Sequence, residues 1–246
     1  MIDIHCHILP EIDDGAPDME TALAMARQAT ADGITHIVAT PHFRPPYELH
    51  PQLALRARRL EEFRAALKEA GISLEVLAGG EVQAQDYTFK ELLKENPQLL
   101  VPGSGQGAEA PAVLLELPMT MPVEWAKELF FLAQVHHFRM IVAHPERQPN
   151  FLAQVETLKG LLDQGLMLQF NATSIHRGFL FGRRLNRAIF ALMAEAPEQV
   201  FLATDAHETE RRPCRLGEVE DIVAKAVGAE AWRLMTEENA RRLLGL

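Results

Sequence analysis

Histidine and acidic residues recur just beyond several apolar, β-branched runs of the sequence. His5 and His7 are two positions apart in the first of these runs, so an extended strand places both imidazoles on one face. Two adjacent imidazoles are an arrangement that binds a divalent metal ion. Further candidate ligands occupy the same place after later runs: His42, Glu81, His144, Asp205 and His207. The pattern predicts one metal site that several strand ends share.

The candidate ligands offer only nitrogen and oxygen donors, a set that suits Mn²⁺, Zn²⁺ or iron better than a structural zinc site of the cysteine type. Asp14 adds a carboxylate close to the first strand, although Asp13-Asp14-Gly15 is also a favourable turn sequence. With Asp14 the candidates number eight, more than one ion needs, so we expect two or three divalent ions, with Glu81 suited to bridge two of them. Clustered ions activate water and hold both oxygens of a phosphoryl transfer, so the residues predict metal-assisted hydrolysis.

Strand-like and helical segments alternate along the chain and must position these residues. About seven strands are predicted, near residues 1–7, 34–40, 73–78, 113–117, 140–144, 166–171 and 200–204. Helices are predicted near 18–32, 51–70, 86–95, 123–137, 151–163 and 178–196, with two more after Arg215. Such alternation is typical of parallel strands joined by right-handed crossovers. We expect an α/β fold, a distorted and incomplete barrel whose strand ends share the metal site, with an open doubly wound sheet as the alternative.

Composition limits what this site can belong to. The length of 246 residues suits a single domain over 1–246, and 48% hydrophobic and 24% charged residues are ordinary for a globular protein. The net charge of −10 argues against a nucleic-acid partner. No apolar stretch approaches the roughly 18 residues of a membrane span, so membrane insertion is not expected. Two cysteines and a strand that begins at residue 2 leave no disulfide framework and no room for a signal peptide, which predicts a cytoplasmic protein.

Taken together, the motifs resemble those of the PHP (polymerase and histidinol phosphatase) superfamily. The matching stretches are Asp3-Ile4-His5-x-His7, Asp13-Asp14-Gly15, His42, Gly80-Glu81, His144-x-Glu146-Arg147 and Asp205-x-His207. More narrowly, the chain resembles the bacterial capsule and exopolysaccharide tyrosine-protein phosphatases of that superfamily, nearly from end to end. The resemblance implies a distorted TIM-like (β/α)7 barrel with a trinuclear, usually Mn²⁺, centre at the carboxyl ends of the strands. It also implies hydrolysis of phosphotyrosine on a bacterial tyrosine kinase that controls capsule or exopolysaccharide synthesis.

The resemblance also assigns roles to individual residues. The metal ligands would be His5, His7, Asp14, His42, Glu81, His144, Asp205 and His207, with Glu81 as the bridge. Arg147 and Arg212 match arginines that hold the substrate phosphate. Glu116 matches a strand-end glutamate near the centre, either a general acid or a residue that supports the ligands. The stretch His42-Phe43-Arg44-Pro45-Pro46 stands where more basic residues are typical, which leaves the shape and charge of the substrate entrance open.

The sequence excludes the thiol route to phosphotyrosine hydrolysis. A Cys-x5-Arg loop needs arginine six residues after the nucleophile, whereas Ile12 follows Cys6 and Glu220 follows Cys214 at that spacing. We therefore expect direct attack by a metal-bound hydroxide, without a covalent phosphoenzyme. Two alternatives stay open: a small-molecule phosphatase, such as one acting on histidinol phosphate, and a metal-binding regulatory module without turnover.

Overall fold

Parallel β-strands form the interior of the protein. The structure, a computed structural model, describes residues 1–44, 49–84, 93–105, 109–119 and 123–246. Within these residues the strands are β1 Ile2–Cys6, β2 His36–Ala39, β3 His42–Phe43, β4 Glu75–Ala78, β5 Glu81–Gln83, β6 Ala112–Glu116, β7 Arg139–Ala143, β8 Met167–Asn171 and β9 Val200–Ala203. The pairings are all parallel, in sheets of order β1-β2-β4 and β3-β5-β6-β7-β8-β9. This arrangement confirms the predicted α/β class.

Two of the seven predicted strands are interrupted. The second predicted strand stops at Ala39 and resumes as β3 after Pro41, which has no N–H to give to a ladder. The third stops at Ala78 and resumes as β5 after two glycines, and a Cβ on Gly79 would lie 2.4 Å from the Val38 side chain. His42, which follows the second predicted strand in the sequence, begins β3 and pairs with Glu81.

The two sheets meet where β1 passes the end of β9. An isolated bridge pairs Cys6 with Ala206, and the His7 amide donates to the Ala206 carbonyl at 2.9 Å. The Asp3 carboxylate accepts hydrogen bonds from the Thr204 amide and hydroxyl. These contacts bring the first and last strands side by side, as in a distorted barrel and unlike the open doubly wound alternative. The junction is one bridge and not a continuous ladder.

Helices occupy the connections between strands, as the alternation predicted. Their bounds are α1 Met19–Ala31, α2 Leu49–Glu69, α3 Leu93–Glu95, α4 Val123–Val135, α5 Phe151–Leu162, α6 Ala172–Phe181, α7 Arg183–Glu195, α8 Glu220–Val227, α9 Ala229–Arg233 and α10 Asn239–Leu244. Asp18 caps α1, because its side chain accepts a hydrogen bond from the Thr21 amide at 2.7 Å. Most of the helix predicted near 86–95 lies outside the described residues, which include only its end as α3.

Two helical regions differ from the predictions. The single helix predicted near 178–196 is a pair, α6 and α7, which meet at Gly182. The two helices predicted after Arg215 divide at Gly228, where the backbone has a φ of +95° that favours glycine. Between α9 and α10 the chain forms one π-helical segment, Leu234–Glu238, which the sequence pattern did not reveal.

The last helix closes one of two clusters of buried apolar side chains. This smaller cluster joins Ile4, Ile141 and Phe201 of three strands to Leu243 and Leu244 of α10. The larger cluster fills the space between the strands and the surrounding helices. None of the helices in the described part of the chain combines the length and apolar character needed to cross a lipid bilayer.

Candidate metal centre

The eight residues predicted as ligands lie in one cluster. Short loops and strand ends carry them: β1 supplies His5, the loop after it carries His7 and Asp14, β3 and β5 begin with His42 and Glu81, and the segments after β7 and β9 carry His144, Asp205 and His207. Most of the cluster is buried, whereas Asp14 has a side chain that is 63% exposed. The convergence that a barrel imposes on its strand ends is therefore present for all the predicted positions.

Glu81 is the hub of this cluster. Its Oε1 lies 2.8 Å from His144 Nε2. Its Oε2 lies 2.9 Å from His42 Nδ1, 3.3 Å from His7 Nε2 and 3.4 Å from His5 Nε2. Burial opposes ionisation of this carboxyl group, but the charge on His5 and hydrogen bonds from neighbouring histidines lower its pKa well below the usual value. A buried carboxylate among four imidazoles has the position that a bridging ligand needs.

The donor atoms form three overlapping groups. In each group one atom per residue lies within 4.8 Å of the others, and the groups are His7-Asp14-His42-His207, His5-His7-Glu81 and His42-Glu81-Glu116. His7, His42 and Glu81 each belong to two groups. Shared ligands are what neighbouring ions in a polynuclear centre require, so the overlap fits more than one ion.

Hydrogen bonding supplies a separate test of whether metal ions fit. Buried polar atoms normally have a hydrogen-bond partner. Among the described residues, His42 Nδ1, Glu81 Oε2, Glu116 Oε2 and His207 Nε2 are buried atoms that make no hydrogen bond of acceptable geometry. These atoms belong to the donor groups above, and the pair at 2.9 Å, His42 Nδ1 and Glu81 Oε2, is among them. Coordination to cations would satisfy these atoms, so the residues present fit a divalent metal centre.

Charges within the cluster shift the pKa values in opposite directions. Burial disfavours charge on His7, but a hydrogen bond to Asp13 and the charge of Glu81 outweigh it and raise the pKa to about 10. Burial likewise opposes charge on His5, whose pKa is nevertheless raised by Glu81 and Asp205. At His207, burial and the neighbouring His7 and Arg212 lower the pKa to about 4. The metal-free site therefore holds a proton on His7 at neutral pH.

This proton predicts a pH-dependent metal affinity. A metal ion binds neutral imidazole, so it must displace the proton that the raised pKa retains on His7. The apparent affinity for Zn²⁺ should rise with pH up to about 10, by as much as about tenfold per pH unit for each proton displaced. Calorimetric titration in two buffers with different ionisation enthalpies should show net proton release at pH 7. A titration without proton release would contradict the assignment of His7 as a ligand.

Two predicted ligands have unusual backbone conformations. The φ angle is +31° at His144 and +50° at Asp205, directly after β7 and β9. Non-glycine residues are uncommon in this left-handed region, and those that occur there are often functional. The turn at His144 aims the imidazole at Glu81, 2.8 Å away.

Both predicted substrate arginines contact one of the ligands. Arg147 lies 3.0 Å and Arg212 lies 2.5 Å from Asp205 Oδ2. Burial opposes ionisation of Asp205, but His5, His7 and Arg212 lower its pKa below the usual range. The Arg147 side chain is 44% exposed, so it reaches from the buried ligand to the open side of the cluster.

Glu116 lies close enough to the predicted ligands to share a metal ion with them. It ends β6, and its Oε2 is 3.8 Å from His42 Nδ1. The same oxygen makes no hydrogen bond and belongs to a donor group with His42 and Glu81. Glu116 therefore belongs to a group of side chains that could hold a metal ion, a position that neither of its predicted roles required.

Asp13 is a site residue that the sequence analysis treated only as part of a turn. Its Oδ2 lies 2.7 Å from His7 Nδ1 and accepts a hydrogen bond from the His42 amide at 3.0 Å. Its Oδ1 accepts a hydrogen bond from the Gly15 amide, and a Cβ on Gly15 would lie 2.1 Å from the His7 carbonyl oxygen. The glycine therefore lets the turn fold back on His7. An acidic residue six positions after a predicted ligand was the available signal.

The cysteines lie next to the cluster but do not face it. Cys6 and Cys214 are buried free thiols with sulfur atoms 3.6 Å apart. Burial raises the pKa of Cys6 well above its usual value, which keeps it a thiol and a poor nucleophile. These contacts give Cys6 a packing role.

Replacing both cysteines by alanine should therefore leave catalysis intact. We expect kcat/KM for an aryl phosphate close to that of the unmodified protein. The free energy of unfolding should fall by roughly 1 kcal/mol per site, which lowers the melting temperature. Steady-state kinetics and thermal unfolding would check this. Loss of turnover in a folded variant with its full metal content would show that a thiol takes part.

Comparison with known proteins gives matches along the whole chain. The family model described as "Capsular polysaccharide synthesis, CpsB/CapC" matches residues 1–245. The tyrosine-protein phosphatase YwqE of Bacillus subtilis (strain 168) is 33% identical over 249 aligned positions, which cover 99% of this chain and 91% of YwqE. The tyrosine-protein phosphatase CpsB of Streptococcus agalactiae serotype III is 28% identical and covers 99% of this chain and 98% of its own.

Comparison with solved structures also finds similarity to YwqE and CpsB. A crystal structure from a study of YwqE from Bacillus subtilis and CpsB from Streptococcus pneumoniae, described there as unique metal-dependent tyrosine phosphatases, superposes with a TM-score of 0.81. It is 31% identical and covers 100% of this chain and 94% of its own. The phosphotriesterase homology protein of Escherichia coli superposes with a TM-score of 0.59 at 12% identity, covering 99% of this chain and 97% of its own. The second similarity concerns the fold alone and supports a TIM-barrel-like architecture.

Proposed function

The chain belongs to the capsular polysaccharide synthesis family CpsB/CapC, and from this membership we propose that it is a metal-dependent protein-tyrosine phosphatase. The observation that carries the proposal is Glu81, a buried carboxylate within 3.4 Å of nitrogen atoms from His5, His7, His42 and His144. This hub occurs in a chain that is 33% identical, over its whole length, to a tyrosine-protein phosphatase.

Different residues of the cluster would have different roles in phosphate ester hydrolysis. The predicted ligands would hold two or three divalent cations, and Glu116 would complete the set. When bound, such ions activate water and neutralise phosphate oxygens. Arg147 and Arg212 contact Asp205 and are themselves 44% and 27% exposed, so their guanidinium groups can donate hydrogen bonds to a phosphate group. Buried, protonated Cys6 supplies no nucleophile, so a covalent cysteinyl-phosphate step is not part of the proposal.

The substrate that we infer is a phosphotyrosine protein, specifically a bacterial tyrosine kinase that controls capsule or exopolysaccharide synthesis. Membership in a capsular polysaccharide synthesis family and the phosphatase names of its relatives support this inference. The proposed metal is Mn²⁺, in keeping with a donor set of nitrogen and oxygen atoms. We also infer one phosphatase domain over residues 1–246, which the family match over 1–245 supports. We also infer a cytoplasmic location, in keeping with only two cysteines among 246 residues.

A direct assay distinguishes this function from the alternatives. The purified protein would be given a phosphotyrosine peptide, a phosphoserine peptide of the same sequence and histidinol phosphate, each with Mn²⁺ and with excess chelator. We expect fast release of phosphate from the phosphotyrosine peptide, and only with the metal present. Preference for histidinol phosphate would favour a small-molecule phosphatase, and metal binding without turnover on any substrate would favour a regulatory module.

A further inference from the structure

The strand β8 carries none of the predicted metal ligands, although it lies between β7 and β9, which lead to His144 and Asp205. Two amide residues of β8 nevertheless reach the metal centre. Gln169 is fully buried and Asn171 is 3% exposed. Because they are two positions apart in a strand, their side chains project from the same face.

Hydrogen bonds connect the two amides to ligands from three other segments. Gln169 Oε1 lies 2.8 Å from His5 Nδ1 and accepts a hydrogen bond from the His144 amide at 3.3 Å. Gln169 Nε2 donates to Asn171 Oδ1 at 2.9 Å. Asn171 Nδ2 donates to Asp205 Oδ2 at 2.7 Å. A continuous series of side-chain hydrogen bonds therefore connects His5, through the two amides of β8, to Asp205.

A backbone N–H, which cannot titrate, fixes which group donates and which accepts in each of these hydrogen bonds. The backbone N–H of His144 can only donate, so the Gln169 atom beside it must be the carbonyl oxygen. The Gln169 amino group then points to Asn171, whose own amino group must point to Asp205. His5 Nδ1 faces the same Gln169 oxygen and must carry a proton to bond to it. The His5 Nε2 lone pair is left for the cluster, 3.4 Å from Glu81 Oε2.

We propose that Gln169 and Asn171 are positioning residues of the metal centre. Gln169 holds His5 in the tautomer that presents Nε2, and Asn171 orients Asp205. The two oxygens of Asp205 support the second part. Oδ2 receives Asn171, Arg147 and Arg212, whereas Oδ1 faces the Nε2 atoms of His5 and His7, each at 3.5 Å. The inference rests on the proposed metal-dependent function, and it names the residues that set the geometry of two ligands.

A purely structural role for the amides makes a different prediction. A buried amide pair that only stabilised the barrel would lower the melting temperature on removal and would leave metal affinity unchanged. A positioning role changes metal affinity, because second-shell partners fix the orientation and basicity of a ligand. Asn239 provides a matched control, since it is 3% exposed and donates to the Pro197 and Val200 carbonyls, where β9 begins and not where it ends.

The first experiment measures zinc affinity by competition with a chromophoric chelator. The variants are Gln169→Met and Asn171→Leu, which keep side-chain volume and remove the amide, with Asn239→Leu as the control. We expect zinc binding that is about 10–100-fold weaker in each β8 variant. The control should lose thermal stability and keep its zinc affinity. Unchanged zinc affinity in the β8 variants would overturn the proposal, as would an equal loss in the control.

The second experiment reads the His5 tautomer directly. Metal-free protein with ¹⁵N-labelled histidine would be studied, at a pH above the titration of His5, by long-range ¹H–¹⁵N correlation spectroscopy, which identifies the protonated ring nitrogen; metal-free protein is needed because zinc on Nε2 would itself leave the proton on Nδ1. We expect the proton on His5 Nδ1 in the unmodified protein. Gln169→Met should lose this signature, and Gln169→Glu should keep it, because a carboxyl oxygen still accepts from Nδ1. An unchanged His5 spectrum in Gln169→Met would overturn the role of Gln169.

The outcomes also separate this inference from the proposed reaction. Unmodified protein that binds zinc but hydrolyses no phosphotyrosine would contradict the phosphatase proposal, and weaker zinc binding in the β8 variants would still support the positioning role. An active phosphatase whose β8 variants bind zinc normally would support the phosphatase proposal and contradict the positioning role.

Discussion

Replacing Glu81 by glutamine is expected to lower kcat/KM on a phosphotyrosine peptide by at least about 10³-fold, the scale on which single catalytic groups contribute. Glutamine keeps the size of the side chain but removes the charge that sits among four imidazoles. Two cations can share a carboxylate, whereas a neutral amide binds them poorly. The loss should therefore appear both in turnover and in the number of metal ions retained after dialysis.

The fold should survive this change, because Glu81 begins a short strand whose pairing with β3 and β6 uses the backbone. Circular dichroism and thermal unfolding would establish this. Glu75→Gln is a suitable control, since Glu75 is an exposed glutamate at the start of β4. Near-normal turnover of Glu81→Gln at saturating Mn²⁺ would show that Glu81 is not the bridge.

The second large effect is expected at Arg147. A guanidinium donates two parallel hydrogen bonds to a phosphate, and lysine cannot reproduce that fork. If the contact strengthens as charge develops on the transferring group, Arg147→Lys should lower kcat/KM by about 10²–10³-fold. The lysine keeps a positive charge close to Asp205, so metal content and melting temperature should stay close to those of the unmodified protein.

The contacts of Arg147 make metal content an essential measurement. Its guanidinium lies 3.0 Å from Asp205 Oδ2, so an alternative role is to hold this ligand and not the phosphate. Kinetics should be accompanied by metal analysis, with Arg215→Lys as control, because Arg215 is exposed and pairs with Glu218. A fully active Arg147→Lys variant would contradict any catalytic role. Activity lost together with the metal ions would assign the residue to Asp205 instead of the substrate.

The sequence could predict the features that depend on local order along the chain. Apolar runs indicated the strands. Asp18 and Gly228 indicated helix ends, because capping and left-handed turns depend on only a few neighbouring residues. The interruptions at Pro41 and Gly79 were also present in the sequence, although their consequence, two short strands that pair His42 with Glu81, was not predicted. The π-helical segment after Arg233 left no pattern of its own.

The candidate ligands were predictable for a related reason. In a barrel of parallel strands, the residues just past each strand meet at one end, whatever the order of the strands around the barrel. Repetition of histidine and acidic residues at that place was therefore enough to group His5 with Asp205, 200 positions away in the sequence. The resemblance to a known family added the arginines, and the structure places both beside Asp205.

By itself, then, the sequence determined the α/β class, the single end at which the ligands gather and the type of donor atoms. Only the tertiary structure decided which atoms meet: that Glu81 faces four histidines, that Glu116 joins His42, and that Gln169 contacts His5 across 164 positions. Periodicity reports which face of a strand a residue occupies. Which residues oppose one another depends on the stagger and tilt of neighbouring strands, and these are set by packing of the whole barrel.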